Sequence, residues 1–194
     1  NTSPINYIVR SNGATLSVPA VAVPGHIILD NTCSLCATVN TAANASANGN
    51  AITITGSLSA GALAGTTGIR INAIANGTGI GFTQGANTLT SSSGGITIVV
   101  NGQTGTGYSS TGALSASGQA VSIATTTTTG AGINQTGAIT AGALSLNATQ
   151  SVSTATGIPI TATGQITANS LTVNASGGAP STIVSLGAIT INAG

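Results

Sequence analysis

Two phrases in the second half of the chain decide the fold: GAITAGALSLNA at residues 137–148 and GQITANSLTVNA at residues 164–175. Each consists of a glycine, a short run, a corner of small residues and a second run. Apolar and polar side chains alternate in the runs, so that Leu144 and Leu146 share one face, as do Leu171 and Val173. Alternation with a period of two predicts β-strands that are buried on one side.

The phrase recurs along the chain as a structural repeat. Clear copies begin at Gly112, Gly137, Gly164 and Gly187, and looser copies begin at Gly49, Gly68 and Gly94. The spacing drifts between about 18 and 27 residues, which is typical of a solenoid with insertions in its coils. We therefore predict an all-β fold, a parallel β-helix (β-solenoid) of about 18–27 residues per coil. Glycine and asparagine at the breaks predict corners with positive φ.

The scarcity of charge agrees with stacked coils. Charged residues make up 2% of the chain, against about 25% in an average domain. In a solenoid, equivalent positions meet in ladders about 4.8 Å apart, where like charges would repel. The alternative fold is a pilin-like β-sandwich, whose residues 7–23 would act as the donor strand in polymerisation.

Composition also excludes several classes of function. Nucleic-acid binding needs a basic footprint, and the net charge is only +1. Membrane insertion is not expected, because the best apolar run, residues 18–29, is short and broken by two prolines and a histidine. A hydrophobic content of 41% argues against disorder.

The repeats divide the chain into two segments. We interpret residues 1–48, which lack the phrase and contain both cysteines, as an N-terminal cap or assembly segment, and residues 49–194 as solenoid repeats. Because the sequence stops within a phrase, we expect either that the chain is a fragment or that an open coil there pairs with another subunit by strand addition.

Catalysis is not expected, because the inventory of acids and bases is nearly empty. His26, with Asp30 and Cys33, is the one combination that could be imagined as a triad. A histidine near a turn aspartate in a cap is the simpler interpretation. The glycine-rich residues 77–85 lack the lysine of a phosphate loop, and one aspartate without glutamate provides no calcium site. We predict no catalytic residue, cofactor or metal.

Covalent modification is the remaining chemistry. With no second cysteine pair to complete a zinc site, a local disulfide between Cys33 and Cys36 is predicted; free thiols and intersubunit bridges are alternatives. Six N-x-S/T sequons occur, one of them at Asn1. The other five, Asn44, Asn76, Asn134, Asn147 and Asn174, are candidate glycosylation sites.

Threonine-rich runs raise a further alternative, a carbohydrate- or ice-binding solenoid. An ice-binding face would need threonines at the same position in successive coils. The aligned second strands read VSIAT, LSLNA and LTVNA, which is not a threonine array.

The phrases at residues 112–124, 137–148 and 164–177 resemble the repeats of filamentous-haemagglutinin-like adhesins, secreted bacterial surface proteins of the two-partner and autotransporter type. The resemblance covers roughly residues 49–194. It implies a right-handed parallel β-helix exposed on the cell surface and used for adhesion or biofilm cohesion.

Taken together, these observations predict a non-enzymatic extracellular protein. We expect it to be a structural or adhesive subunit, or a segment, of a cell-surface filament. Its partners would be copies of itself, joined head to tail, and glycans of a host or neighbouring cell. A sandwich pilin and a carbohydrate- or ice-binding module are the alternatives.

Overall fold

Strands of this chain stack in parallel as a β-solenoid. The structure, a computed structural model, describes residues 5–11, 15–32, 50–61, 66–75, 77–102, 104–152, 154–177 and 183–192. These residues form eighteen strands and no helix, and every pairing among them is parallel. The predicted fold class is thus confirmed, and the sandwich alternative, which is built from antiparallel sheets, is not the fold. None of the described residues belongs to a helix of the length and apolarity that a membrane crossing requires.

The strands lie on three faces, which the chain visits in a fixed order. The first face contains β2 (Leu16–Val18), β5 (Ile52–Ile54), β8 (Phe82–Gly85), β11 (Tyr108–Ser110), β13 (Ile133–Gln135), β15 (Ile160–Ala162) and β17 (Val184–Leu186). The second face contains β3 (Val21–Val23), β6 (Leu58–Ala60), β9 (Leu89–Ser91), the first parts of β12 (Leu114–Thr127), β14 (Ile139–Gln150) and β16 (Ile166–Ser176), and β18 (Ile189–Ile191). The third face contains β1 (Tyr7–Arg10), β4 (Ile27–Asp30), β7 (Thr67–Ile74), β10 (Gly95–Asn101) and the second parts of β12, β14 and β16.

The register confirms the repeat in the C-terminal half. On the second face, Leu114 pairs with Ile139, Ile139 with Ile166, and Ile166 with Ile189. Each of these strand residues follows the opening glycine of a clear phrase by two positions, so the pairing steps equal the intervals between the phrases. One phrase therefore corresponds to one coil, and its opening glycine lies at the corner between the first and second faces.

Coils in the N-terminal half are longer than the looser phrases predict. Ile52 pairs with Phe82, so this coil is longer than the one that leads from Leu114 to Ile139. The phrases that begin at Gly49 and Gly68 contribute β5 and β7, which lie on different faces of the same coil. The interval between the starts of these two phrases therefore covers the chain from the first face to the third face of one coil and does not equal the length of a coil.

Part of the predicted cap segment stacks directly on the repeats. β2 pairs with β5, β3 with β6 and β4 with β7, and β1 pairs in turn with β4. The strands β1 to β4 therefore occupy the same three faces as the repeats, although they lack the phrase. The segment boundary at residue 48 and an assembly role for this segment stay predictions.

The core consists of columns in which equivalent inward positions stack from coil to coil. The buried members of one column of the third face are Ile27, Ile69, Ile96, Val121 and Leu144. On the first face the rings of Phe82 and Tyr108 stack, with centroids 5.4 Å apart. Full burial of each such side chain contributes about 1.5–3 kcal/mol. Repeated burial along the columns thus holds successive coils together.

Glycine at the start of each phrase permits close packing of the corner. A Cβ atom at Gly137 would overlap the carbonyl oxygen of Gly112, and one at Gly164 would overlap that of Gly137. In the described part of the chain, positive φ is confined to Gly77, Gly85, Gly118 and Gly177. The prediction of positive φ at these phrase-initial corners is therefore wrong. Stacking of one corner on the carbonyl below excludes a side chain there.

Candidate functional site

His26 lies directly before β4 and Asp30 is the last residue of β4, and the two make separate contacts. Nδ1 of His26 is 2.7 Å from the carbonyl oxygen of Thr67. A carboxylate oxygen of Asp30 accepts hydrogen bonds from the N–H and the hydroxyl of Thr32, at 2.8 and 2.6 Å. The length of the strand separates the two positions by about 13 Å. Their hydrogen bonds belong to a corner and a turn, and the structure does not bring them together.

Four predicted site residues lie outside the described part of the chain. They are Cys33, Cys36, Asn44 and Asn76. The disulfide and the first two glycosylation sites therefore stay predictions. Across the described ranges, no three His, Cys, Asp or Glu residues come together in a way that could hold a metal ion.

The other three sequon asparagines point outward from the solenoid. Asn134 lies on the first face, and Asn147 and Asn174 are paired neighbours on the third. Nδ2 of Asn174 donates to Oδ1 of Asn147 at 2.7 Å. Because neighbouring strands are about 4.8 Å apart, glycans on both of these asparagines would compete for the same space.

A buried polar cluster lies at the corner between the first and second faces. The Tyr108 hydroxyl is 2.7 Å from Oε1 of Gln84 and 2.7 Å from Oε1 of Gln135, so its single proton serves one acceptor at a time. Nε2 of Gln135 donates to the carbonyl oxygens of Gly112 and Gly137, both at 2.8 Å. Because these contacts satisfy corner carbonyls, we assign the cluster a structural role. Sequence reasoning missed it, although glutamine at an inward position of the alternation is a usable signal.

Hydroxyl side chains form columns on the outside of the solenoid. On the second face the column contains Ser59, Thr90, Ser115, Thr140, Thr167 and Thr190. A column on the third face contains Thr97, Ser122, Ser145 and Thr172. The comparison of second strands by sequence did not find the second-face column, because that column lies on the first strand of each phrase.

The solenoid has an uncovered edge, which we term the C-terminal edge, formed by residues 171–176 of β16 together with β17 and β18. Within the described residues, no strand covers these segments on their outer side. Ile189 and Ile191 continue the inward columns of the second face but are 43% and 51% exposed. Ile166 and Ala168, one coil below, are fully buried. The core columns therefore end in exposed apolar surface.

The opposite edge, termed the N-terminal edge, is formed by β1, β2 and β3. Its half-buried inward residues, which pack on the core from one side only, are Tyr7, Val9, Leu16, Val21 and Val23. Both edges thus present apolar inward positions together with the backbone groups of an unpaired strand. Such edges are typical sites of association between chains.

A shallow cavity runs along the third-face part of the C-terminal edge. Its volume is about 290 Å³, and it is lined by residues 147–149 of β14 and 173–176 of β16. The lining combines strand backbone with asparagine and hydroxyl side chains. The cavity therefore lies beside the longest uncovered strand segment of this edge.

Comparison with known proteins identifies no relative. No family model matches the chain, and neither a curated protein nor a solved structure matches it. The solenoid, its surface columns and its two edges are therefore the features from which we infer a function.

Proposed function

We propose that this chain is a non-enzymatic structural protein of a cell-surface fibre, in which copies stack head to tail. The solenoid is compatible with the fold of solenoid adhesins, and the repeat phrases resemble those of filamentous-haemagglutinin-like proteins. That resemblance supports an extracellular location and a role in adhesion, with surface glycans as further partners. The separate contacts of His26 and Asp30 support a function without catalysis.

The observation that carries the proposal is the match between the two edges. From the third face onward, the C-terminal edge runs through residues 171–176 of β16, then β17, then β18. The N-terminal edge runs through β1, β2 and β3, which lie on the same faces in the same order. A second copy placed on the C-terminal edge would therefore continue all three faces.

The side chains at the two edges are complementary in character. Every inward position of β17 and β18 is Val, Leu or Ile, and so is every inward position of β2 and β3. No charged residue occurs in these four strands. Stacking would bury apolar surface on both sides, at about 25 cal/mol per Å², without desolvating a charge.

The test compares two lysine substitutions on the same edge strand. Ile191→Lys places a charge in an inward column, whereas Thr190→Lys places it outside. Both residues are exposed in the single molecule, so both variants should fold. We expect the unmodified chain and Thr190→Lys to form elongated particles, seen by electron microscopy and multi-angle light scattering. Ile191→Lys should lower the associated fraction at least tenfold.

Circular dichroism of each variant provides the control for folding. A strand-rich spectrum, with thermal unfolding that equals that of the parent chain at a concentration where both are monomeric, shows that Ile191→Lys acts on association alone. The proposal is wrong if the unmodified chain stays monomeric at high concentration. It is also wrong if both lysine variants associate as well as the parent chain.

A further inference from the structure

We infer that the junction between copies is a specific strand addition: β1 of a second copy pairs in parallel with residues 171–176 of β16, with its Tyr7 opposite Leu171. This inference rests on the proposed head-to-tail stacking and names the segment and register that produce it. It is carried by the backbone of the third face and by the alternation of β1.

The third face offers the largest uncovered row of backbone groups. Of β16, only residues 166–168 pair with β18, which leaves residues 171–176 without a partner on that side within the described chain. The strands β17 and β18 are much shorter. The continuous strand segment beside the 290 Å³ cavity is therefore the main site for backbone pairing.

The direction of the free backbone groups follows from the rest of the solenoid. Where a third-face strand pairs with the third-face strand of the next coil towards the C-terminus, the N–H of an inward residue donates to that next strand. Tyr7 donates to the carbonyl of His26 at 2.8 Å in this way. The same alternation directs the N–H and C=O groups of Leu171, Val173 and Ala175 towards the open edge. These groups need a partner strand in parallel orientation.

β1 is the strand that has the required position and pattern. It lies at the opposite end of the third face, and its strand partner is β4. Tyr7 and Val9 face inward, while Ile8 and Arg10 face outward. Placed on β16, Tyr7 and Val9 would extend the inward columns that end at Leu171 and Val173.

Arg10 excludes a slip of one residue. In the register that we infer, its guanidinium lies outside, opposite Asn174. The Asn174 Nδ2 already donates to Asn147, so the carbonyl oxygen of its amide is the natural acceptor for this arginine. A one-residue slip would turn Arg10 towards the core, where an unpaired charge is strongly unfavourable. Only slips by an even number of positions keep the alternation.

Cysteine pairs can measure this register directly. In a Cys33→Ser, Cys36→Ser background, one chain carries Ile8→Cys and the other carries Thr172→Cys, Asn174→Cys or Ser145→Cys. All four positions are outward. Thr172 would lie directly opposite Ile8, about 4.8 Å away, whereas an offset along the strand or by one coil exceeds the limit of about 7 Å between Cα atoms for a disulfide. We expect oxidation to link the Thr172→Cys pair at least tenfold more than the other pairs, with light scattering reporting association separately.

The outcomes distinguish this inference from the proposed function. Association with preferential linkage at Asn174 or Ser145, or with no linkage at any pair, overturns the register and leaves stacking intact. Absence of association in the unmodified chain overturns both. Hydrogen exchange of the unmodified chain provides a second measurement that needs no cysteine. The amides of Leu171, Val173 and Ala175 should become at least tenfold more protected on association, and unchanged exchange there would contradict strand addition.

Discussion

At the scale of single residues, Tyr108 is the clearest case of a polar group held in an apolar core. It stacks on Phe82 and places its hydroxyl between two glutamine oxygens. Burial raises the pKa of the Tyr108 phenol, and a hydrogen bond with Ser110 lowers it by less. The folded chain therefore favours the neutral phenol, and its stability depends on pH in the alkaline range.

Stability should decrease as the pH rises above about 10, the pKa of tyrosine in an unfolded chain. Below that pH the Tyr108 phenol is neutral in both the folded and the unfolded chain. Above that pH the phenol ionises readily only in the unfolded chain. We expect Tyr108 to lower the free energy of unfolding by about 1.4 kcal/mol between pH 9 and pH 11. In Tyr108→Phe this decrease in the free energy of unfolding should be absent, as measured by urea unfolding across that pH range. Equal slopes for the two proteins would contradict the assignment.

At the scale of elements, strand ends and corners are joined by inward side-chain amides. Gln84, Gln135 and Gln150 each lie near the end of a strand and donate from Nε2 to two carbonyl oxygens. For Gln135 these carbonyls belong to corners of successive coils. Since a buried unsatisfied carbonyl costs about 1–3 kcal/mol, these amides make the corners compatible with a packed interior.

Gly137 should be intolerant of any side chain, because its corner lies on the carbonyl of Gly112. We expect Gly137→Ala to lower the free energy of unfolding by about 2 kcal/mol through overpacking. The matched control is Gly102→Ala, whose added methyl would meet Thr127 at an ordinary 3.4 Å. Chemical denaturation of both variants is the measurement. An equal loss of stability in the two variants would mean that the corner at Gly137 accommodates a methyl group as well as the control position does.

At the scale of the whole molecule, the lack of charge and the stacking of coils have the same physical basis. Every outward position on a face has a neighbour about 4.8 Å above or below it. Ser and Thr, which occupy the second-face column from Ser59 to Thr190, stack there without repulsion. The same uncharged columns leave the two edges free to approach each other.

Lysines introduced at neighbouring positions of one column should destabilise the solenoid cooperatively. Thr140 and Thr167 are direct neighbours on the second face. We expect the free energy of unfolding of Thr140→Lys/Thr167→Lys to fall by about 0.5 kcal/mol more than the sum of the losses in the two single variants. This coupling should shrink at high salt concentration. In Thr140→Lys/Thr167→Glu the coupling should change sign, and a coupling independent of charge sign would refute the explanation.

Much of the fold could be predicted from local patterns. Alternation in residues 137–148 and 164–175 determined strands with one buried side. The recurrence of the phrase from Gly112 to Gly187 determined the length of each coil in the C-terminal half. The near absence of charge was consistent with ladders in which equivalent side chains of successive coils lie next to each other. These properties depend on neighbours along the chain and on composition, which a sequence displays directly.

Only the tertiary structure decided which positions meet. It placed the strands β1 to β4 on the same faces as the repeats, although no phrase marks them. It also showed that the phrases at Gly49 and Gly68 belong to one coil, and that Gly137 is required by the carbonyl below it. The sequence predicted an open coil at the C-terminal end, whereas the match in strand order between the two edges became visible only in the structure. Strand pairing across coils joins residues that lie a whole coil apart in the chain, as Ile166 and Ile189 do, and that register depends on packing in three dimensions.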